Sequence, residues 1–163
     1  MIATQPSRLS NAAIAKFAER VGRENDLYDD GRADLDYLLR LFGGKIEYRD
    51  GGEALHVRSP ADFTIFLPRF TSVARDRFTI AHELGHYFLH YRLPELNDER
   101  GYGRGSRNRA ETEANVFASA LLMPSAEFAE KWNSLEKDEW LVANHFDVSP
   151  AAARVRAEVL NLK

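Results

Sequence analysis

The stretch His82-Glu83-Leu84-Gly85-His86, set in the apolar run from Phe78 to Tyr91, constrains this chain more than any other. Phe78, Ala81, Leu84, Gly85, Phe88 and Leu89 recur at the three-and-four spacing of a helical core face, so the run predicts a buried helix. On a helix, residues four apart stand one turn above each other, and His82 and His86 then present two imidazoles toward one point. Glu83 follows the first histidine and lies beside that point, where it can take a proton from a water held there. The stretch reads as a two-histidine metal grip with a base, and zinc is the metal that suits it. A satisfied pair of structural histidines is the plainer alternative, and the helical setting of the motif weighs against it.

With 163 residues, 44% of them hydrophobic, the chain is the size of one domain, or of one domain with a small appendage. We divide it into a body of residues 1–138 and a helical tail of residues 139–163. A net charge of -3 argues against a surface that coats nucleic acid or membrane. The lack of cysteine removes disulfides, thiolate ligands and cysteine nucleophiles together, and fits a reducing compartment. No stretch resembles a signal peptide or is long enough to span a bilayer, so a cytoplasmic protein is expected.

The remaining elements follow from periodicity and punctuation. Ser10 or Asn11 caps a helix through Ile14, Phe17, Ala18 and Val21, and a second helix runs from about Arg32 to Phe42 until Gly43-Gly44 stops it. Ile46 and Tyr48, then Leu55 and Val57, alternate with polar residues around Asp50-Gly51-Gly52, which predicts a hairpin. Phe63 to Leu67 is a third, more deeply placed strand, closed by Pro68, and Ser72 caps the motif helix. The stretch Pro94 to Arg109, where Gly101, Gly103 and Gly105 alternate among arginines, reads first as a solvated linker and second as a mobile loop at the mouth of a site or a basic contact for nucleic acid. Ala110 to Met123 is a strong helix ended by Pro124, and Ser125 caps another through Phe128 and Trp132. The tail forms two short helices around Asp147-Val148, a loose match to a helix-turn-helix but better read as a helical hairpin packed on the body.

A catalytic zinc takes three protein ligands and keeps a fourth position open, so one ligand is missing. His90 lies about 12 Å along the same helix from His82, at ~1.5 Å per residue, and cannot share a metal with it. His56 and His145 sit on other elements and spacing does not exclude them. Glu111 and Glu113, at the start of the downstream helix, are better placed.

At these residues the chain resembles a known family. Arg77-Phe-Thr-Ile-Ala-His-Glu-Leu-Gly-His86, followed by Glu111-Thr-Glu-Ala-Asn-Val-Phe-Ala118 and Leu121-Leu-Met-Pro124, is similar to the ImmA/IrrE zinc metallo-endopeptidases, a gluzincin-like group. There the third ligand is a glutamate on a downstream helix, and an Asp or Asn four residues later orients a ligand histidine. That pattern selects Glu111, with Asn115 behind it, and leaves Glu113, followed by Phe117, as the alternative. The resemblance implies an α+β, zincin-like domain: a short antiparallel or mixed sheet, the HExxH helix, a ligand helix and a C-terminal helical hairpin. It also implies one zinc per chain held by His82, His86 and Glu111, with Glu83 as catalytic base. Tyr102, Arg107 and His145 are the candidates for a further donor to the oxyanion. The implied hydrolase is a protease that cuts a specific intracellular protein, a helix-turn-helix transcriptional repressor, in transcription regulation or a stress response. A zinc-dependent regulator that binds without cutting, or a DNA-binding protein with a structural metal, is the alternative; direct nucleic-acid binding and a membrane partner are not expected.

Overall fold

The computed structural model describes residues 4–103 and 108–163. Helix α1 (Asn11–Glu24) is followed by the short strands β1 (Tyr28–Asp29) and β2 (Arg32–Ala33), helix α2 (Leu35–Phe42), and strands β3 (Gly44–Arg49), β4 (Ala54–Ser59) and β5 (Asp62–Pro68). Helix α3 (Val73–His86) runs into a π-helical turn, Tyr87–Arg92; then come strand β6 (Arg100–Gly103) and helices α4 (Arg109–Leu122), α5 (Ser125–Ser134), α6 (Glu139–Phe146) and α7 (Pro150–Val159). The architecture is the α+β one expected, with a mixed four-stranded sheet.

Local chemistry sets most boundaries. Ser10, Asp34, Ser72, Asn108, Asp138 and Ser149 each accept a hydrogen bond from a backbone N–H of the turn that follows, relieving the unpaired donors of a helix start. Asp34 begins α2 later than expected from the pattern, because Ala33 and Arg32 pair with Tyr28 and Asp29 in a small antiparallel ladder. Ser125 is the first residue of α5 and not its cap; its backbone N–H and its hydroxyl both donate to Glu19 Oε1, at 3.0 and 3.2 Å.

The expected hairpin between the first two main strands does not form. Strand order is β3-β5-β4-β6, with β3 parallel to β5 and β4 antiparallel to it, so β5 inserts between the strands that the Asp50-Gly51-Gly52 turn connects. Burial decides this. Phe63, Ile65 and Leu67 are fully buried, and a strand that apolar belongs at the centre, with the alternating strands flanking it. Its other face is closed by Arg58, which donates to Thr64 Oγ1 at 2.8 Å, and by the Arg49 guanidinium, 4.1 Å from the Phe66 ring centre.

The stretch read as a linker contains β6, antiparallel to β4, with Tyr102 opposite Leu55. Its period is two: Gly101 and Gly103 are exposed and Tyr102 is buried.

The core joins both layers. Phe63 stacks on Tyr87 at 4.1 Å, Phe17 of α1 meets Phe117 of α4 edge-on, and Phe128 of α5 stacks on Phe146 of α6. Val142, Ala143, Phe146, Val148, Ala153 and Ala157 of the tail lie in the same buried cluster as α3 and α4. Gly43 ends α2 at φ 83°, and its carbonyl accepts from Phe63 N, at 3.1 Å. A Cβ there would collide with the Ala61 carbonyl oxygen. Gly43→Ala is therefore expected to destabilise the chain by more than the ~1–2 kcal/mol of the left-handed conformation alone; an unchanged urea midpoint would contradict this role.

Candidate metal centre

Two helices make the site, and a missing side chain lets them meet. A Cβ on Gly85 would stand 3.0 Å from Ala114 Cα and 3.1 Å from Ala114 O, so α3 lies almost backbone to backbone on α4. Glu111 sits one turn before Ala114, in the first turn of α4, where the Asn108 side chain accepts from its N–H at 3.0 Å. Crossing at Gly85 thus carries the Glu111 carboxylate to the histidines that flank the glycine.

Among the described residues, His82, His86 and Glu111 form a group of potential metal ligands whose donor atoms all lie within 4.8 Å of one another. Both imidazoles turn Nε2 toward the glutamate: His82 Nε2 is 2.9 Å from Oε2 and His86 Nε2 is 3.1 Å from Oε1. Two imidazole nitrogens and a carboxylate are a donor set that fits zinc. The remaining ring nitrogens are held from behind. His82 Nδ1 faces Asn115 Oδ1 at 2.7 Å, and His86 Nδ1 faces His90 Nδ1 at 2.9 Å. Asn115 is one turn after Glu111, so a single face of α4 supplies both the carboxylate and the support for His82.

The charges are tuned by this enclosure. Burial works to raise the Glu111 carboxyl, but hydrogen bonds with His82 and His86 outweigh it and hold the group far below the ordinary carboxylate range. Burial lowers His86, with Glu111 opposing, whereas His82, also buried, is raised because Glu111 and Glu83 outweigh desolvation. Glu83 is 3% exposed, and its Oε2 is buried with no hydrogen-bond partner among the described residues. Burial pushes its carboxyl up to about 8, with His82 opposing and Glu111 adding to the rise. A cation held beside it would draw that value down and supply the missing counter-charge. Glu83 Oε1 lies 4.0 Å from His82 Nε2, beside the ligand cluster and not within it.

The other sequence candidates lie elsewhere. Glu113 is fully buried and turned to His90, whose Nε2 is 2.8 Å from its Oε1. His56 pairs with Glu99 at 2.9 Å, and His145 Nε2 lies 2.8 Å from the Asp30 carbonyl oxygen. Tyr102 stacks on His86 at 5.8 Å, but its hydroxyl donates to the His90 carbonyl at 3.0 Å. Arg107 lies outside the described residues. Sequence spacing missed the part played by His90: excluding it as a ligand was sound geometry, yet its four-residue step from His86 was the signal of a contact behind the ligand.

The model of the IrrE N-terminal-like domain, a peptidase family, matches residues 44–158. The chain belongs to this family. The radiation response metalloprotease IrrE of Deinococcus radiodurans is 29% identical over 157 residues, which cover 93% of this chain and 45% of that protein. A solved structure described as a Mycobacterium tuberculosis transcriptional regulator matches with a TM-score of 0.61 at 20% identity, covering 87% of this chain and 45% of that one, and so shares the fold. The chain therefore spans less than half the length of these relatives.

For this IrrE-like domain the Gly85 crossing makes a direct prediction. Gly85→Ala gains about 1 kcal/mol of helix propensity but presses a methyl group on the α4 backbone. We expect zinc affinity to fall about tenfold or more while the metal-free chain remains folded; unchanged affinity in a chelator competition would contradict the crossing as the device that seats Glu111.

Proposed function

We propose that this chain is a zinc-dependent endopeptidase that hydrolyses one peptide bond in a specific intracellular protein, a helix-turn-helix transcriptional repressor. The observation that carries the reading is the convergence of His82, His86 and Glu111 beside a buried, unpaired Glu83 carboxylate oxygen. The family supports a metallopeptidase, and the name of the Deinococcus relative supports a role in a stress response. No helix among the described residues is long and apolar enough to cross a membrane. The lack of cysteine supports a reducing, cytoplasmic setting.

Zinc bound by His82 Nε2, His86 Nε2 and a Glu111 oxygen would supply the Lewis acidity that acidifies water and polarises the scissile carbonyl. Glu83, next to that position, takes the proton from the attacking water and returns it to the leaving amine. Its enclosure keeps bulk water from competing for the proton. Asn115 holds the His82 ring with Nε2 forward, so that this ligand does not rotate away. The outer edge of β6 has no strand partner among the described residues and lies beside the site through the Tyr102–His86 stack. An extended peptide can add there through backbone hydrogen bonds and cross the open position.

Two features of the tail favour a packed hairpin over a DNA-reading one. Arg154 is held by Glu139 at 3.1 Å, and Arg156 is buried with its Nε donating to the Met123 carbonyl at 3.0 Å. A reading helix needs such arginines free at the surface.

Incubation of the zinc-loaded chain with the repressor encoded beside it is the test. We expect a single cut, slowed by about 10²–10⁴-fold in Glu83→Gln with zinc content unchanged. A variant that cuts as fast as the parent would remove Glu83 as the base. A repressor bound but left whole by the parent would point to a regulator that sequesters without cleaving.

A further inference from the structure

Behind His86 the structure continues into a chain of buried polar groups that ends in the N-terminal segment. Glu113, fully buried on α4, receives Ser7 N–H at 2.8 Å on Oε1, and the Ser7 hydroxyl at 2.9 Å and Arg8 N–H at 3.1 Å on Oε2. Arg109 Nε stands 3.4 Å from the same Oε2, and another guanidinium nitrogen of Arg109 donates to the Leu9 carbonyl at 2.7 Å. With so many donors around it, Glu113 can only accept.

That fixes every proton beyond it. His90 Nε2, 2.8 Å from Glu113 Oε1, must be the donor of that contact, which leaves the lone pair of a neutral imidazole on Nδ1. His90 Nδ1 then accepts from His86 Nδ1, 2.9 Å away, so that a cation can take the His86 Nε2 lone pair in place of the proton that Nε2 shares with Glu111 in its absence. Were any link reversed, His86 would present an N–H to the metal position and could not ligate. The π-helical turn that starts directly after His86 contains His90, and Tyr102 clamps it by donating to the His90 carbonyl at 3.0 Å. Ser7 and His90 both line a cavity of about 400 Å³ together with Leu89, Leu96 and Tyr102, so the N-terminal segment and the relay share one wall of it.

We propose that Glu113 and His90 are positioning residues that set the tautomer and orientation of His86, and that the N-terminal segment at Ser7–Arg8 locks them, so that the start of the chain governs metal affinity. The proposal rests on the zinc reading of the site but concerns groups that touch neither metal nor substrate.

Zinc dissociation constants from chelator competition, with long-range ¹H–¹⁵N NMR of the zinc-loaded histidines, test it in the full chain. His82→Ala must lose zinc; if the parent itself binds none, the zinc reading fails and the relay with it. Given a parent that binds, His90→Phe, which keeps a ring but no acceptor, is expected to bind about 10–100-fold more weakly and to lose the downfield resonance of a hydrogen-bonded His86 Nδ1–H. His90→Gln, which can accept from His86 and donate to Glu113, should recover most of the affinity. Ser7→Ala, outside every helix and strand, should weaken zinc about threefold and keeps the test open should His90→Phe not fold. Parent-like affinity and an unchanged His86 Nδ1–H resonance in His90→Phe, equal loss in His90→Gln, or no effect of Ser7→Ala would overturn the proposal.

Discussion

The approach of α3 to α4 at Gly85 is the constraint on which the rest of this domain depends. A histidine pair one turn apart is a property of any helix carrying HExxH, but two ligands do not make a catalytic site. The third comes from a second helix, and the distance from that helix's backbone to the first decides whether a glutamate side chain can reach. With no Cβ at residue 85, Ala114 fits against α3, and Glu111 one turn earlier arrives within hydrogen-bond distance of both Nε2 atoms. Small residues continue the seam: Ala81 and Ala118 are both fully buried. The apolar layers beneath, Phe63 against Tyr87 and Phe17 against Phe117, hold the two helices at that separation.

Against that well-packed scaffold the site carries what a protein core avoids. Glu83, His86, His90 and Glu113 are all buried polar or charged groups. His86, His90 and Glu113 are satisfied in sequence along one path that ends on the N-terminal backbone at Ser7 and Arg8. Glu83 is the exception, with a buried oxygen lacking any partner and a carboxyl raised by desolvation. A buried carboxylate oxygen without a partner, set among satisfied polar neighbours, is the expected signature of a group held for chemistry and not for stability.

The helices and the metal grip were legible in the sequence because the signals are local. A 3.6-residue apolar period, a capping serine and a terminating glycine or proline act within one turn, and Ser10 and Ser72 cap where the pattern places them. Sheet order was not legible in the same way. The Asp50-Gly51-Gly52 turn is a local signal for a hairpin, but β5 takes the centre, where Phe63, Ile65 and Leu67 are fully buried. Strand β6 was hidden because its glycines read as linker and its single inward residue, Tyr102, is recognisable only once β4 is beside it. Glu111 over Glu113 came from a family pattern; the physical distinction is that residues two apart on a helix point to different sides, so one acid faces the histidine pair and the other faces His90. The relay itself joins residues about a hundred positions apart, and no spacing rule reaches that far.

The central claim is that His82, His86 and Glu111 bind one metal ion together, and X-ray absorption spectroscopy of the zinc-loaded chain tests it most directly. The account predicts one zinc per chain with two imidazole nitrogens at about 2.0–2.1 Å and oxygen ligands at about 2.0–2.2 Å, losing one imidazole in His82→Ala and the carboxylate in Glu111→Ala but not in Glu113→Ala. A shell unchanged by Glu111→Ala, or a third imidazole supplied from elsewhere in the chain, would contradict it.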